Sequence, residues 1–209
     1  MTDLAYAEIE EMIVTLRLAP GRPISEGELG ALLGIGRTPI REALQRLARE
    51  RLVTILPRRG IIVSEINVAS QLRLLEVRRV LERLIAASAA RRATEEERAQ
   101  FRKIVAAFEK TAKANDDVGF MRTDRAFNLL CSQAAHNDFA AGAMSLMHGL
   151  SRRFWYLHYK QAADLPLTAK LHADIARAIA DGKVGEAAKA SDRLLDAIEK
   201  FTRDTLVTP

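Results

Sequence analysis

The strongest constraint on this fold is the stretch Gly36-Arg37-Thr38-Pro39-Ile40-Arg41-Glu42-Ala43-Leu44-Gln45-Arg46-Leu47. Ile40, Leu44 and Leu47 recur at i, i+4 and i+7, the spacing of a helix with one buried face. Thr38 is the expected N-cap, with Pro39 at the first helical position, where its missing N–H costs nothing. Arg37, Arg41, Gln45 and Arg49 follow in four-residue steps along a different, polar face. Cations at a helix N-terminus oppose the macrodipole, so Arg37 and Arg41 point to an anionic partner rather than to helix stability. Taken alone, such a run reads equally well as a solvated basic face.

Its neighbours favour the partner. Upstream, Ser25 and Glu28 have the spacing of a capping box opening a second short helix, and Gly34-Ile35-Gly36 allows a tight turn between the two. Helix, glycine-containing turn and helix with a polar start make a helix-turn-helix. Downstream, Val53-Thr54-Ile55-Leu56 and Ile61-Ile62-Val63 flank Pro57-Arg58-Arg59-Gly60, which predicts a hairpin with a basic tip. A hairpin alone would be an ordinary edge ribbon. Next to this helix pair it reads as the wing of a winged helix, with Arg58, Arg59 and Gly60 at its tip.

The distribution of charge supports that reading better than the total does. The chain of 209 residues carries a formal +5, which permits a nucleic-acid partner without requiring one. Residues 1–66 hold nine arginines, no lysine and nine acids, yet residues 37–59 hold seven arginines against two acids. The basic edge is local. Arginine's rigid fork suits bidentate contact with phosphate or guanine. The single cysteine, Cys131, excludes an intramolecular disulfide and a thiolate metal cluster. No secretory leader or membrane-length apolar run is apparent, so the expectation is a soluble, cytoplasmic protein with no membrane partner.

The overall expectation is a mainly α chain. A winged helix-turn-helix occupies 1–66 and an all-helical bundle of about six helices occupies 67–209. A first helix over about Leu4 to Leu18, with Ile9, Met12, Ile13 and Leu16 on one face, precedes the helix pair. Asn67 is expected to cap a long helix to about Ala93, whose Leu74, Val77, Leu81, Leu84 and Ser88 keep a 3-4 spacing. Caps at Thr94 with Glu97, Asn115-Asp116-Asp117, His136-Asn137-Asp138 and Asp164 punctuate the rest, and Gly182 ends the helix before the last one.

Several polar residues sit on apolar stripes of that bundle. Phe120, Asp124, Phe127, Asn128 and Cys131 share one face; His172 shares another with Ile175 and Ile179; Arg78 borders the Leu74, Leu81 and Ile85 side. Buried polar groups are costly unless paired. They either satisfy one another in the core or line a small polar cavity able to take a ligand or metal.

Two landmarks, Leu18-Ala19-Pro20-Gly21 and Arg37-Thr38-Pro39-Ile40-Arg41-Glu42-Ala43-Leu44, together with the wing Leu56-Pro57-Arg58-Arg59-Gly60-Ile61-Ile62-Val63, resemble the GntR family of bacterial transcription regulators. The helical half resembles the FadR-type effector domain (FCD) through Glu76-Val77-Arg78-Arg79-Val80-Leu81-Glu82, Asp124-Arg125-Ala126-Phe127-Asn128, Asn137 and Leu171 to Ile179. The resemblance implies a homodimer joined through the helical domains. Such a dimer binds a palindromic double-stranded DNA operator, as a repressor by expectation, with affinity set by a small effector, often a carboxylate. The expected DNA contacts are Arg37, Thr38, Arg41, Gln45, Arg49, Arg58, Arg59 and Gly60.

Two departures stand out. Gly36 and Gly27 occupy positions where such regulators commonly carry a hydroxyl residue and an arginine, so fewer backbone contacts are expected. Members that bind a divalent metal use one Asp and three His. Here only Asp124 and His172 match, Asn128 stands in place of one His, and the last position falls near Leu194; Asp192 lies about 200° away around the helix. Two ligands and an amide make a poor Zn²⁺ or Ni²⁺ site. The expectation is that no cofactor is required and that an organic ligand meets Arg78, Asp124, Asn128 and His172 directly, with Arg152 or Arg153 as further candidates. The alternative is a metal-dependent sensor of the same family with a weakened site held by Asp124 and His172. An enzyme is not expected, for the chain shows no activated nucleophile, no phosphate loop and no complete metal set.

Overall fold

The computed structural model describes residues 1–58, 60–162 and 164–206, with the backbone alone for 160–162. In order come α1 (Thr2–Val14), β1 (Pro23–Ile24), α2 (Glu26–Leu33), α3 (Arg37–Arg49), β2 (Val53–Leu56), β3 (Gly60–Val63), α4 (Val68–Arg92), α5 (Glu95–Ala114), α6 (Asp117–Ala134), α7 (Asp138–Ala162), α8 (Leu165–Ala180) and α9 (Val184–Asp204). The chain is mainly α, with a winged helix-turn-helix first and, among the described residues, six helices after it.

Two units form by contact. The first comprises Met1–Gln71 together with Ser145–His158 of α7. Its core gathers Ile9 and Ile13 of α1, Leu18, Leu29 of α2, Ile40, Leu44 and Leu47 of α3, and Leu52, all nearly or wholly removed from solvent. The sheet is antiparallel in the order β1-β3-β2, with Val53 opposite Val63 and Leu56 opposite Gly60. β1 pairs only Pro23 and Ile24 with β3, too short a strand to leave a period-2 signal in sequence.

The turn between α2 and α3 explains two glycines. Gly34 ends α2 in the left-handed region at φ 65°, which glycine adopts without steric cost. Gly30 approaches the Ile35 carbonyl so closely that a Cβ there would sit 2.9 Å from the oxygen. Ser25 accepts the Glu28 N–H, but the Glu28 carboxylate pairs with Arg22 at 2.6 Å, so only half of the expected capping box forms. Thr38 is not the N-cap of α3. Gly36 is, with an extended backbone and no side-chain cap, which puts Pro39 third in the helix. That position still forfeits only an N–H from the unsatisfied first turn. α1 is shorter than its periodicity suggests. It stops at Val14, Leu16 turns left-handed at φ 61°, and Leu18 is buried beyond the helix.

The α7 segment is tied into this unit by two arginines. Arg152 donates from Nη1 to Glu10 Oε1 at 2.6 Å, and Arg153 donates to the Ser64 and Glu65 carbonyls at 2.8 and 3.2 Å. Burial pushes the Arg153 guanidinium down to about 10. Gly149 lets α7 pass close to Leu52, since a Cβ would lie 2.6 Å from its Cδ1. A linear cut at 66/67 leaves this segment out. Arg152 and Arg153, considered from sequence as effector contacts, are engaged here instead.

The second unit comprises Leu72–Met144 and the described residues from Tyr159 on. α5 packs against α6 and α8, and α8 against α9. α4 meets α9 through Arg79 with Asp196 and Glu199, and through Arg83 with Asp192. The caps fall where the sequence places them: Asn67 on Ser70, Thr94 with Glu97 as a complete capping box, Asp116 on Gly119, Asn137 on Ala140 and Asp164 on Leu167. On α4 the buried stripe is Leu75, Arg78, Ile85 and Ala89, while Val77, Val80 and Leu84 face outward. Of the expected stripe, Val77 and Leu84 therefore point the wrong way, Leu74 and Leu81 are half-buried, and Ser88 is buried. α4 is apolar on two faces, and periodicity cannot tell which one turns inward.

Candidate nucleic-acid interface and buried polar cluster

α3 divides its cations by direction. Ile40, Ala43, Leu44 and Leu47 hold it on the core, which leaves Arg37, Thr38, Arg41, Gln45 and Arg49 exposed on one side. Arg46 turns inward instead. Its guanidinium lies 3.7 Å from the centre of the Tyr6 ring, and its Nε donates to Glu50 Oε1 at 3.3 Å while Tyr6 Oη donates to Oε2 at 2.8 Å. Burial raises the pKa of both Tyr6 and Glu50. Arg46 thus braces α3 against α1, and the outward residues form the candidate interface.

Arg41 has a partner that the sequence did not suggest. It donates Nε to Glu26 Oε1 at 2.8 Å and Nη2 to Glu26 Oε2 at 2.9 Å, and this pairing holds the Glu26 carboxyl below its ordinary range. At the wing tip Arg58 is exposed with φ 60°, and Gly60 opens β3 at φ 97°. Arg59 lies outside the described residues.

Three of the polar residues singled out in the helical unit meet one another: Asp124, Asn128 and His172. His172 Nδ1 lies 2.8 Å from the Thr168 carbonyl, an acceptor, so Nδ1 carries a proton. Nε2 faces Asp124 Oδ1 at 3.2 Å, and Asn128 Nδ2 donates to the same oxygen at 3.0 Å. Phe108, Phe120 and Phe127 surround the imidazole at ring separations of 5.2, 5.5 and 5.7 Å. Arg78 pairs with Glu82 at 2.5 Å. Burial, with the neighbouring carboxylates of Glu82 and Asp124, pushes the Cys131 thiol well up. Phe120 and Phe127 share the Asp124 face by their spacing in sequence, whereas Phe108 and Thr168 were not assigned to the cluster.

Of this set only His172 and Asp124 are ordinary ligands of a divalent metal. A His with Nδ1–H fixed by a carbonyl has the orientation of a ligand. However, the Asn128 amide aims an N–H at Asp124 Oδ1, and Leu194 is buried. Among the described residues no three His, Cys, Asp or Glu side chains are grouped to hold an ion.

A winged helix-turn-helix with an arginine-lined outer face, followed by an all-helical unit, defines a DNA-binding transcription regulator. The profile of bacterial regulatory proteins of the gntR family matches residues 2–63, and that of the FCD domain matches residues 73–197. The chain belongs to the GntR family of regulators that carry an FCD domain, and it is not an enzyme. It is 47% identical over 64 residues to an HTH-type transcriptional regulator in an unstable DNA locus of Streptomyces ambofaciens, covering 31% of this chain and 27% of that protein. It is 29% identical over 178 residues to the HTH-type transcriptional repressor RspR of Escherichia coli strain K12, covering 83% of this chain and 76% of the relative. The solved structure of E. coli McbR/YncC superposes with a TM-score of 0.83 over 98% of both chains at 16% identity, a likeness of fold. Among the described residues no helix is long and apolar enough to cross a membrane.

Proposed function

We propose that this regulator binds a two-fold symmetric operator as a homodimer, as a repressor whose grip on DNA is set by a small carboxylate held in the helical unit. The observation that carries the DNA reading is the outward row Arg37, Thr38, Arg41, Gln45 and Arg49 on a helix anchored by its opposite face. In that role α3 enters the major groove, its arginines take guanine edges or phosphates, and Arg58, Arg59 and Gly60 follow the backbone. The outward Val77, Val80 and Leu84 of α4, with Val80 67% exposed, supply an apolar face for the second subunit. The repressor assignment draws on the likeness to RspR.

Arg78 is the group suited to an anionic effector, by exchanging Glu82 for the ligand, with Asn128 and His172 as hydrogen-bonding partners and Asp124 orienting both. The protein in this reading needs no metal. A metal-dependent sensor is the second reading, favoured by the ligand-like orientation of His172 beside Asp124.

The test is selection from a randomised duplex pool. The wild-type protein is expected to enrich a sequence with two related half-sites, and Arg41→Ala to lose a base preference at the same place in each. Enrichment of no motif, or an unchanged motif from Arg41→Ala, would refute the recognition-helix assignment. A motif with one half-site would refute the dimer.

A further inference from the structure

We propose that Glu26 is a positioning residue that sets base specificity, by holding Arg41 so that one edge of its guanidinium is aimed outward for guanine. The inference rests on the assignment of α3 as the recognition helix.

Arginine offers five N–H groups in a rigid planar fork. Glu26 takes the side edge, Nε–H and one Nη2–H, in a bidentate contact of 2.8 and 2.9 Å. The other Nη2–H and one Nη1–H remain on the end edge. One donor from each of Nη1 and Nη2 matches the O6 and N7 acceptors of guanine. Arg41 can therefore hold its carboxylate and a guanine at once.

The pair spans the helix-turn-helix, since Glu26 is the first residue of α2 and Arg41 lies in the second turn of α3. The Arg41 side chain is 61% exposed and that of Glu26 28%. Exposed pairs of this kind contribute little to stability, and an acid beside a DNA-binding surface repels phosphate. General attraction to DNA does not account for Glu26 on this face, and its place in the first turn of α2 favours an acid there without explaining its bidentate hold on Arg41. Fixing a long, exposed side chain before DNA arrives does explain it, because the rotamer freedom is lost in advance. Glu28, on the same helix, carries the same charge but pairs with Arg22, so it serves as a matched control.

The experiment applies the randomised-duplex selection to the wild type, Arg41→Ala, Glu26→Gln and Glu28→Gln, with affinity for a scrambled duplex measured for each. A glutamine at 26 turns one of the two acceptors into a donor facing a donor and so breaks the bidentate hold. Expected is a guanine that Arg41→Ala erases, whose preference over other bases falls about fivefold or more in Glu26→Gln. Scrambled-duplex affinity is expected to hold or rise in both glutamine variants, and Glu28→Gln to keep the wild-type motif. Full guanine preference in Glu26→Gln, or identical motifs from the two glutamine variants, would overturn the proposal while the recognition helix stands. A motif unaffected by Arg41→Ala would overturn both.

Discussion

The Glu10–Arg152 contact offers the sharpest energetic test of how α7 is held in the first unit. Only 6% of the Glu10 side chain and 9% of that of Arg152 reach solvent, so their contact is a buried ion pair. It is also incompletely satisfied, for Glu10 Oε2 and Arg152 Nε have no partner among the described residues. Arg152→Met strands a buried carboxylate, and breaking such a pair from one side costs about 3–5 kcal/mol. Glu10→Met is expected toward the lower end, because Glu11 stands 3.6 Å from Arg152 Nη2 and offers partial compensation. The double substitution removes both charges together with the two unsatisfied atoms, and is expected within about 1 kcal/mol of wild type or above it. The only tryptophan, Trp155, belongs to the same unit, so urea unfolding followed by its fluorescence reports on this pair. Single variants that lose under about 1 kcal/mol, or a double variant as weak as the two losses added, would refute the reasoning.

Two further outcomes follow from the same geometry. Burial raises the folded-state pKa of Glu50 above its unfolded value, so its contribution to stability is full below the unfolded pKa and is lost as pH rises through the folded one. Wild-type stability minus that of Glu50→Gln should therefore fall with rising pH from about pH 4; a flat or rising difference counts against it. For the helical unit, a carboxylate at a hundred times its dissociation constant stabilises by about 2.7 kcal/mol, or about 5–10 °C in a chain of this size. Chelator-treated protein should show that shift without Zn²⁺ or Ni²⁺, and Arg78→Ala should abolish it; a shift that needs metal would favour the metal-dependent reading.

The N-terminal unit was legible because its signals are local. The Gly34 turn, the Ile40-Leu44-Leu47 stripe and the paired β-branched runs each lie within a dozen residues, where period and turn chemistry decide structure. What escaped depends on distance along the chain. β1 exists only because β3 passes it, and Arg152 reaches Glu10 across 142 residues. An apolar period also fixes a helix without fixing its inner side. α4 shows this, with Val77 and Leu84 outward and Leu75 and Ile85 inward.

The polar residues differ in what their spacing could say. Asp124 and Asn128 are one turn apart, so their contact follows from helix geometry alone. That His172 joins them is not specified by anything local; the family resemblance grouped it with Asp124, while spacing alone showed only another polar group on an apolar stripe. The aromatic surround and the Thr168 carbonyl then fix what kind of site results. Nδ1–H is committed to the Thr168 carbonyl, Nε2 faces Asp124, and the Asn128 amide donates to the same oxygen, so these buried groups meet one another among phenylalanine rings. Arg41 poses the opposite case. Its place on the outer face of α3 was readable from the four-residue step, but the carboxylate that aims it comes from α2. Residues that touch a partner can thus be found by period, whereas those that orient them are found only when the helices are brought together.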